Sequence, residues 1–132
     1  MNLNEFVKKY NGLCVDFDHA YGSQCVDLFR QYSKDVNGTP HTGAVEGAKD
    51  LFLSYDKLTE EKKWYKKVTR GFKSGDVLVW DKTSTNRYGH VAILLAEMND
   101  DFIVFEQNGF KQDGAKITLR NRDNLLGALR RR

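Results

Sequence analysis

The stretch His90-Val-Ala-Ile-Leu-Leu-Ala-Glu-Met-Asn-Asp-Asp-Phe-Ile-Val-Phe-Glu-Gln-Asn108 decides the fold class. Its apolar positions are rich in β-branched and aromatic residues, and they run on both sides of a short polar break. It predicts a strand over His90–Glu97, a tight turn at Met98–Asp101 and a returning strand over Phe102–Asn108. Two polar groups interrupt the apolar runs. His90 opens the first strand after Tyr88-Gly89, and Glu106 closes the second. A carboxylate in an apolar strand is costly to bury without a partner, and a histidine on the neighbouring strand is the natural one. The pairing carries a parity condition. Facing residues in an antiparallel pair have a constant index sum, and side chains alternate, so His90 and Glu106 share a face only when that sum is even. A plain two-residue Asn99-Asp100 turn gives an odd sum; an odd loop or a bulge restores an even one.

Working outward, Phe72–Asp76 reads as a turn, Val77–Trp80 as a strand and Lys82–Tyr88 as a polar loop. Lys116–Arg120 and Leu125–Leu129 read as shorter strands. Upstream of residue 71 the period is helical. Leu3, Phe6, Val7 and Tyr10 share a face of a helix over residues 2–10, which Asn2 or Asn4 can cap before Gly12. A second helix runs from Gln24 to Asn37, with Cys25, Leu28, Phe29, Tyr32 and Val36 on one stripe and Asn37-Gly38 as its stop. Val45–Leu53 reads as a short helix, and residues 54–70 as loop or short helical turns. Helices first and antiparallel sheet second make an α+β domain, with the helical part over about 1–70 and the sheet over about 71–130.

With 132 residues, the chain is long enough for one cored domain. Its 40% hydrophobic and 30% charged content is that of an ordinary globular protein. The net charge of +3 is too mild for a nucleic-acid interface. Lys62, Lys63, Lys66, Lys67 and Arg70 read as a solvated face, and Arg130–Arg132 as a frayed end or linker. No apolar run approaches a membrane span, and no secretory signal stands at the start. The two cysteines allow at most one disulfide, and pairing them would silence Cys25. Cys14 reads as a small, partly buried hydrophobe.

The segment Asp16-Phe-Asp-His-Ala-Tyr-Gly-Ser-Gln-Cys-Val-Asp27 carries two overlapping patterns. Counted from Asp16, carboxylates fall at positions 1, 3 and 12, the spacing of a calcium loop. Position 6 is Tyr21 rather than glycine, and position 12 is Asp27 rather than glutamate. The plainer alternative makes Asp16 and Asp18 turn formers and Asp27 a helix-start residue. Counted from Ser23, the segment opens a helix with Cys25 at its start, where the helix field favours a thiolate. His19, His41 and His90 are the available bases.

Four motifs in order are Gln-Cys-x-Asp-Leu from Gln24, Gly-Asp-Val-Leu-Val-Trp from Gly75, Gly-His-Val-Ala-Ile from Gly89, and Glu-Gln-Asn from Glu106. Together they resemble the CHAP domain, a family of cysteine, histidine-dependent amidohydrolases/peptidases of papain-like fold, and the resemblance spans nearly the whole chain. It implies an amide hydrolase of bacterial peptidoglycan, of the kind found in phage and bacterial lysins, acting as an N-acetylmuramoyl-L-alanine amidase or an endopeptidase. Cys25 is then the nucleophile, His90 the general base and acid, Glu106 its orienting group and Asn108 a polar support. The Cys25 N–H and the Gln24 side chain are the expected oxyanion donors. Trp80 and Tyr88 stand beside the site in sequence, as groove residues or, more simply for Trp80, as core. In several phage endolysins of the family, the loop before the cysteine binds calcium. Here that implies Asp16, Asp18 and Asp27 side chains with Ala20 and Gly22 carbonyls. The implied partner is the bacterial wall. The expected protein is a monomer made in the host cytoplasm and reaching the wall by holin release or on a virion. Two alternatives stay open: an NlpC/P60-type cysteine peptidase of other specificity, and a non-catalytic calcium-stabilised wall-binding module.

Overall fold

A computed structural model describes residues 1–17, 24–39, 45–107 and 113–132. Helix α1 (Leu3–Tyr10) starts at an Asn2 cap whose side chain accepts from the Glu5 N–H, while the Glu5 side chain accepts from the Asn2 N–H. This reciprocal box satisfies two donors that a helix start leaves open. The one buried residue of α1, Phe6, packs its ring edge-on against Tyr32 and Phe105. Helix α2 (Cys25–Asp35) buries Leu28, Phe29 and Tyr32 along one stripe. Helices α3 (Asp50–Leu53) and α4 (Thr59–Trp64) flank a single 3₁₀ turn at Tyr55–Lys57.

The sheet has six strands in the order β1-β6-β2-β3-β4-β5, every neighbouring pair antiparallel. They are β1 (Tyr65–Val68), β2 (Val77–Trp80), β3 (His90–Met98), β4 (Asp101–Glu106), β5 (Lys116–Arg120) and β6 (Leu125–Arg131). One face, carrying Val77, Val79, Val91, Ile93, Phe105 and Leu129, joins the helices in the larger core. The other carries Leu78, Trp80, Ala92, Leu94, Phe102 and Val104, and is covered by Phe72, Val68 and Leu125. The α+β class and the helices-then-sheet order are as expected.

Four details differ. Residues 65–68 form an edge strand on β6 rather than loop, because Tyr65 buries completely while Lys66 and Lys67 stay in water. The sheet therefore begins before residue 71. The third helix starts only at Asp50, whose carboxylate accepts the Gly47 N–H and closes the turn ahead of it. The arginine tail is not frayed. Arg130 and Arg131 belong to β6, Arg130 clamps the buried Asp76 carboxylate, and the Arg132 N–H donates to the Trp64 carbonyl. Finally, Cys14 is exposed and, like Cys25, free of any disulfide.

The β3–β4 hairpin meets the parity condition in an instructive way. Met98 faces Asp101, so the loop is the two-residue Asn99-Asp100 turn, with Asn99 in the left-handed region at φ 54°. Left alone, that turn would separate His90 and Glu106 onto opposite faces. A bulge corrects it: Leu94 faces Val104 while Ala96 faces Ile103, leaving Leu95 as the extra residue. Beyond the bulge the side-chain phase inverts, and His90 falls on the same face as Ala92, Val104 and Glu106. Deleting Leu95 should force either the turn or both apolar faces out of phase. The expected result is a Tm lower by roughly 10 °C or more, or loss of cooperative melting. A variant that melts like the parent would remove the bulge's role.

Candidate functional site

Cys25 is the first residue of α2, with Gln24 as its cap. The Gln24 N–H donates to the Asp27 carboxylate at 3.0 Å, and the Gln24 carbonyl accepts the Asp27 N–H at 3.1 Å. Asp27 is buried. It thus ties down the helix start in the way an acidic group in a first turn does. The Cys25 side chain is half-buried against the larger core.

His90 is the first residue of β3, at the sheet end where α2 begins. The Cys25 thiol acts on its ring, as one of the causes that raise the His90 pKa. The opposite interaction is explicit: His90 Nε2 lies 3.0 Å from Glu106 Oε1. An ionised carboxylate only accepts, so Nε2 carries a proton and donates it. In the neutral ring Nδ1 is then the acceptor, the atom able to take a proton.

Glu106 has a second partner. Arg120 approaches it as a fork, Nε to Oε1 at 2.5 Å and Nη2 to Oε2 at 3.1 Å. The charges act on each other in a definite direction. Burial alone would raise the Glu106 pKa, but hydrogen bonds from His90 and Arg120 outweigh it and hold it at about 2. Burial alone would lower His90. Hydrogen bonds with Cys25 and Glu106 outweigh that and push its pKa up to about 9, with the Arg120 cation opposing the rise. The ring is therefore biased towards imidazolium at neutral pH, beside a thiol.

The structure thus places Cys25, His90 and Glu106 near enough to act on one another and adds Arg120, which the motifs do not reveal. The available signal was face parity. Lys116, Thr118 and Arg120 lie on the same face as Glu106. Lys116 is the direct cross-strand neighbour of Glu106, yet its ammonium turns to Asp113 at 2.8 Å, leaving the longer, forked Arg120 to hold the carboxylate. Gln107 was also missed as a structural element. Fully buried, it accepts the Val15 N–H at 2.7 Å and donates to the carbonyls of Val15 and Gln24 at 2.7 and 2.8 Å.

Trp80 is a core residue, the simpler of the two readings offered for it. It is 95% buried in the second core, its ring lies 5.9 Å from that of His90, and its indole N–H donates to the Asn121 carbonyl. With Gly89, His90, Arg120, Asn121 and Asn124 it lines a cleft of about 720 Å³. Tyr88 is exposed and paired with Arg87. Gly89 adopts φ 76°, and a side chain there would strike the Trp80 carbonyl and Lys49. Its close approach therefore serves the packing of α3's leading turn.

Of the residues considered for calcium, Asp16 and Asp27 are described. Asp18, Ala20 and Gly22 lie outside the described residues, as do His19, His41 and Asn108. Among the described residues Asp16 Oδ1 is buried and has no hydrogen-bond partner, which suits a carboxylate that takes a cation. Among the described residues, no three His, Cys, Asp or Glu side chains gather into a metal-binding group. No helix among them is long and apolar enough to cross a membrane.

Residues 14–108 match the protein family described as the CHAP domain. Among solved structures, the wild-type endolysin LysIME-EF1 superposes with a TM-score of 0.67 at 22% identity, over 98% of this chain and 64% of that one. Ly7917, crystallised with the hydrolyzing product of MDP, superposes with a TM-score of 0.70 at 20% identity, over 99% of this chain and 63% of that one. The chain thus spans somewhat under two thirds of the length of these endolysins, and shares their papain-like α+β fold.

The paired shifts define a pH window. His90, raised from its ordinary 6.5, adds stability that is complete below pH 6.5 and is lost as pH rises through about 9. Glu106, lowered from 4.5, adds stability that is complete above pH 4.5 and is lost as pH falls towards about 2. Replacing Arg120 with Gln removes a cation that lowers His90 and stabilises ionised Glu106. The His90 midpoint, followed by NMR of the ring protons, should move up, and the acid limb of Tm should move to higher pH. A midpoint that stays put or falls would contradict this coupling.

Proposed function

Starting from the chain's membership of the CHAP domain family, we propose that it is a peptidoglycan hydrolase that cleaves an amide bond with Cys25 as nucleophile. The observation that carries this reading is the buried His90–Glu106 pair, clamped by Arg120 and with the Cys25 thiol near enough to raise the His90 pKa. A thiol, a ring held by its far nitrogen and a buried orienting anion are the parts that activation of a cysteine needs.

The chemistry proceeds in two halves. The thiolate attacks the amide carbonyl carbon, forming a C–S bond and placing negative charge on the oxygen. The Cys25 N–H, at the start of α2, and the Gln24 side chain stabilise that oxyanion. The His90 imidazolium gives its proton to the departing nitrogen as the C–N bond breaks, leaving a thioester and a free amine. Neutral His90 then takes a proton from water, whose oxygen attacks the thioester. Collapse releases the carboxylic acid and restores the thiol and ring. Glu106 holds the ring in the tautomer both halves require. Asn108 is assigned a supporting polar role, and Trp80 and Tyr88 the flanks of the groove.

Amidase and endopeptidase activity use the same steps and differ in the bond presented. The proposed partner is the bacterial wall, reached by holin release or on a virion. Calcium is proposed as a resident ion, held by Asp16, Asp18 and Asp27 carboxylates with Ala20 and Gly22 carbonyls. It would supply positive charge to an Asp16 oxygen that is buried without a partner among the described residues. The departures at Tyr21 and Asp27 from the full calcium-loop pattern favour modest affinity.

Digesting purified peptidoglycan and weighing the fragments names the bond. New amine and carboxyl ends are expected; new reducing sugar ends would overturn the amide reading. Cys25→Ser should abolish hydrolysis with folding kept, and retained hydrolysis would exclude the nucleophile. EDTA should lower Tm and added Ca²⁺ restore it; a Tm indifferent to both removes the metal.

A further inference from the structure

The Gln107 amide lies immediately after Glu106, on the opposite face of the same strand end. It is fully buried, and its three hydrogen bonds connect the two ends of residues 16–23: Val15 on one side and Gln24 on the other. Its orientation is settled by its partners. The Val15 N–H needs Oε1, and the carbonyl oxygens of Val15 and Gln24 both need Nε2. A flipped amide would set oxygen against two oxygens.

The Gln24 carbonyl is the informative partner. It accepts from both Gln107 Nε2 and the Asp27 N–H, so the plane of the Gln24–Cys25 peptide is held by two donors. A trans peptide directs its N–H away from its C=O. Whatever fixes the Gln24 oxygen therefore fixes the direction of the Cys25 N–H. The Asp27 donor is a local bond of the helix start; Gln107 is the constraint added from across the fold.

We propose that Gln107 is a positioning residue that aims the Cys25 N–H at the developing oxyanion by clamping the Gln24–Cys25 peptide plane. This rests on Cys25 being the nucleophile. One strand end then serves both partners: Glu106 sets the base from one face, and Gln107 sets the nucleophile's peptide from the other.

The test compares two reactions of Cys25 in a Cys14→Ser background, which leaves one thiol. Peptidoglycan hydrolysis needs the oxyanion donor; alkylation by iodoacetamide needs only the thiolate. In Gln107→Met, kcat should fall roughly 10²-fold, with KM and the alkylation rate within about threefold of the parent. A kcat within about threefold of the parent, or an alkylation rate that falls in step with kcat, would overturn the proposal. Gln107→Glu keeps the acceptor for the Val15 N–H and removes the amide donor to both the Val15 and Gln24 carbonyls. It is read in the same way if the Met variant does not melt cooperatively. If neither variant folds, Gln107 is a folding residue and the positioning role is lost. Cys25→Ser separates the premise from the inference. Its continued hydrolysis would sink the nucleophile, whereas its inactivity beside an unimpaired Gln107→Met would sink the clamp alone.

Discussion

Glu106 keeps its charge at the end of a strand whose neighbours Val104 and Phe105 are wholly buried, and much of the site follows from that constraint. An unpaired buried carboxylate would take up a proton rather than stay ionised. Here Arg120 supplies a fork and His90 a third donor, so the anion persists and can act on the ring. Arg120 shares Oε1 of the carboxylate with His90 and opposes the rise in the His90 pKa even as it keeps Glu106 charged. The base is thus held between an anion that raises its affinity for a proton and a cation that limits the rise.

The hairpin meets this demand by an indirect route. The Asn99-Asp100 turn is sound local chemistry, yet by itself it would place the histidine and the carboxylate back to back. One extra residue at Leu95 inverts the phase and lets turn, core and site coexist. Bulges beside functional centres commonly re-aim a side chain in this way. The same alternation gives the strand end its double use. Glu106 looks towards His90, and Gln107 looks towards the start of α2 and the segment ahead of it.

Much was legible along the chain because it depends on neighbours in sequence. The Asn2 cap, the apolar stripe of α2, the Val77–Trp80 strand and the Lys116–Arg120 strand all follow from local periodicity and capping. The edge strand at Tyr65–Val68 was not legible. Only its pairing with β6 makes a strand of a Lys-rich segment, and that partner lies some sixty residues away. The arginine tail was misread for the same reason: its order comes from Asp76 and the Trp64 carbonyl, both distant in sequence.

By itself, the sequence determined the residue types and their order: a thiol at a helix start, a histidine opening one strand and a carboxylate ending the next. It also stated the condition under which they could meet. Whether that condition held was decided by the bulge, and which cation held Glu106 by the competition between Lys116 and Arg120. Both depend on register and side-chain reach across strands, which no local pattern encodes. The role of Gln107 is of the same kind. A glutamine between a carboxylate and an asparagine says nothing until the fold brings Val15 and Gln24 onto its amide.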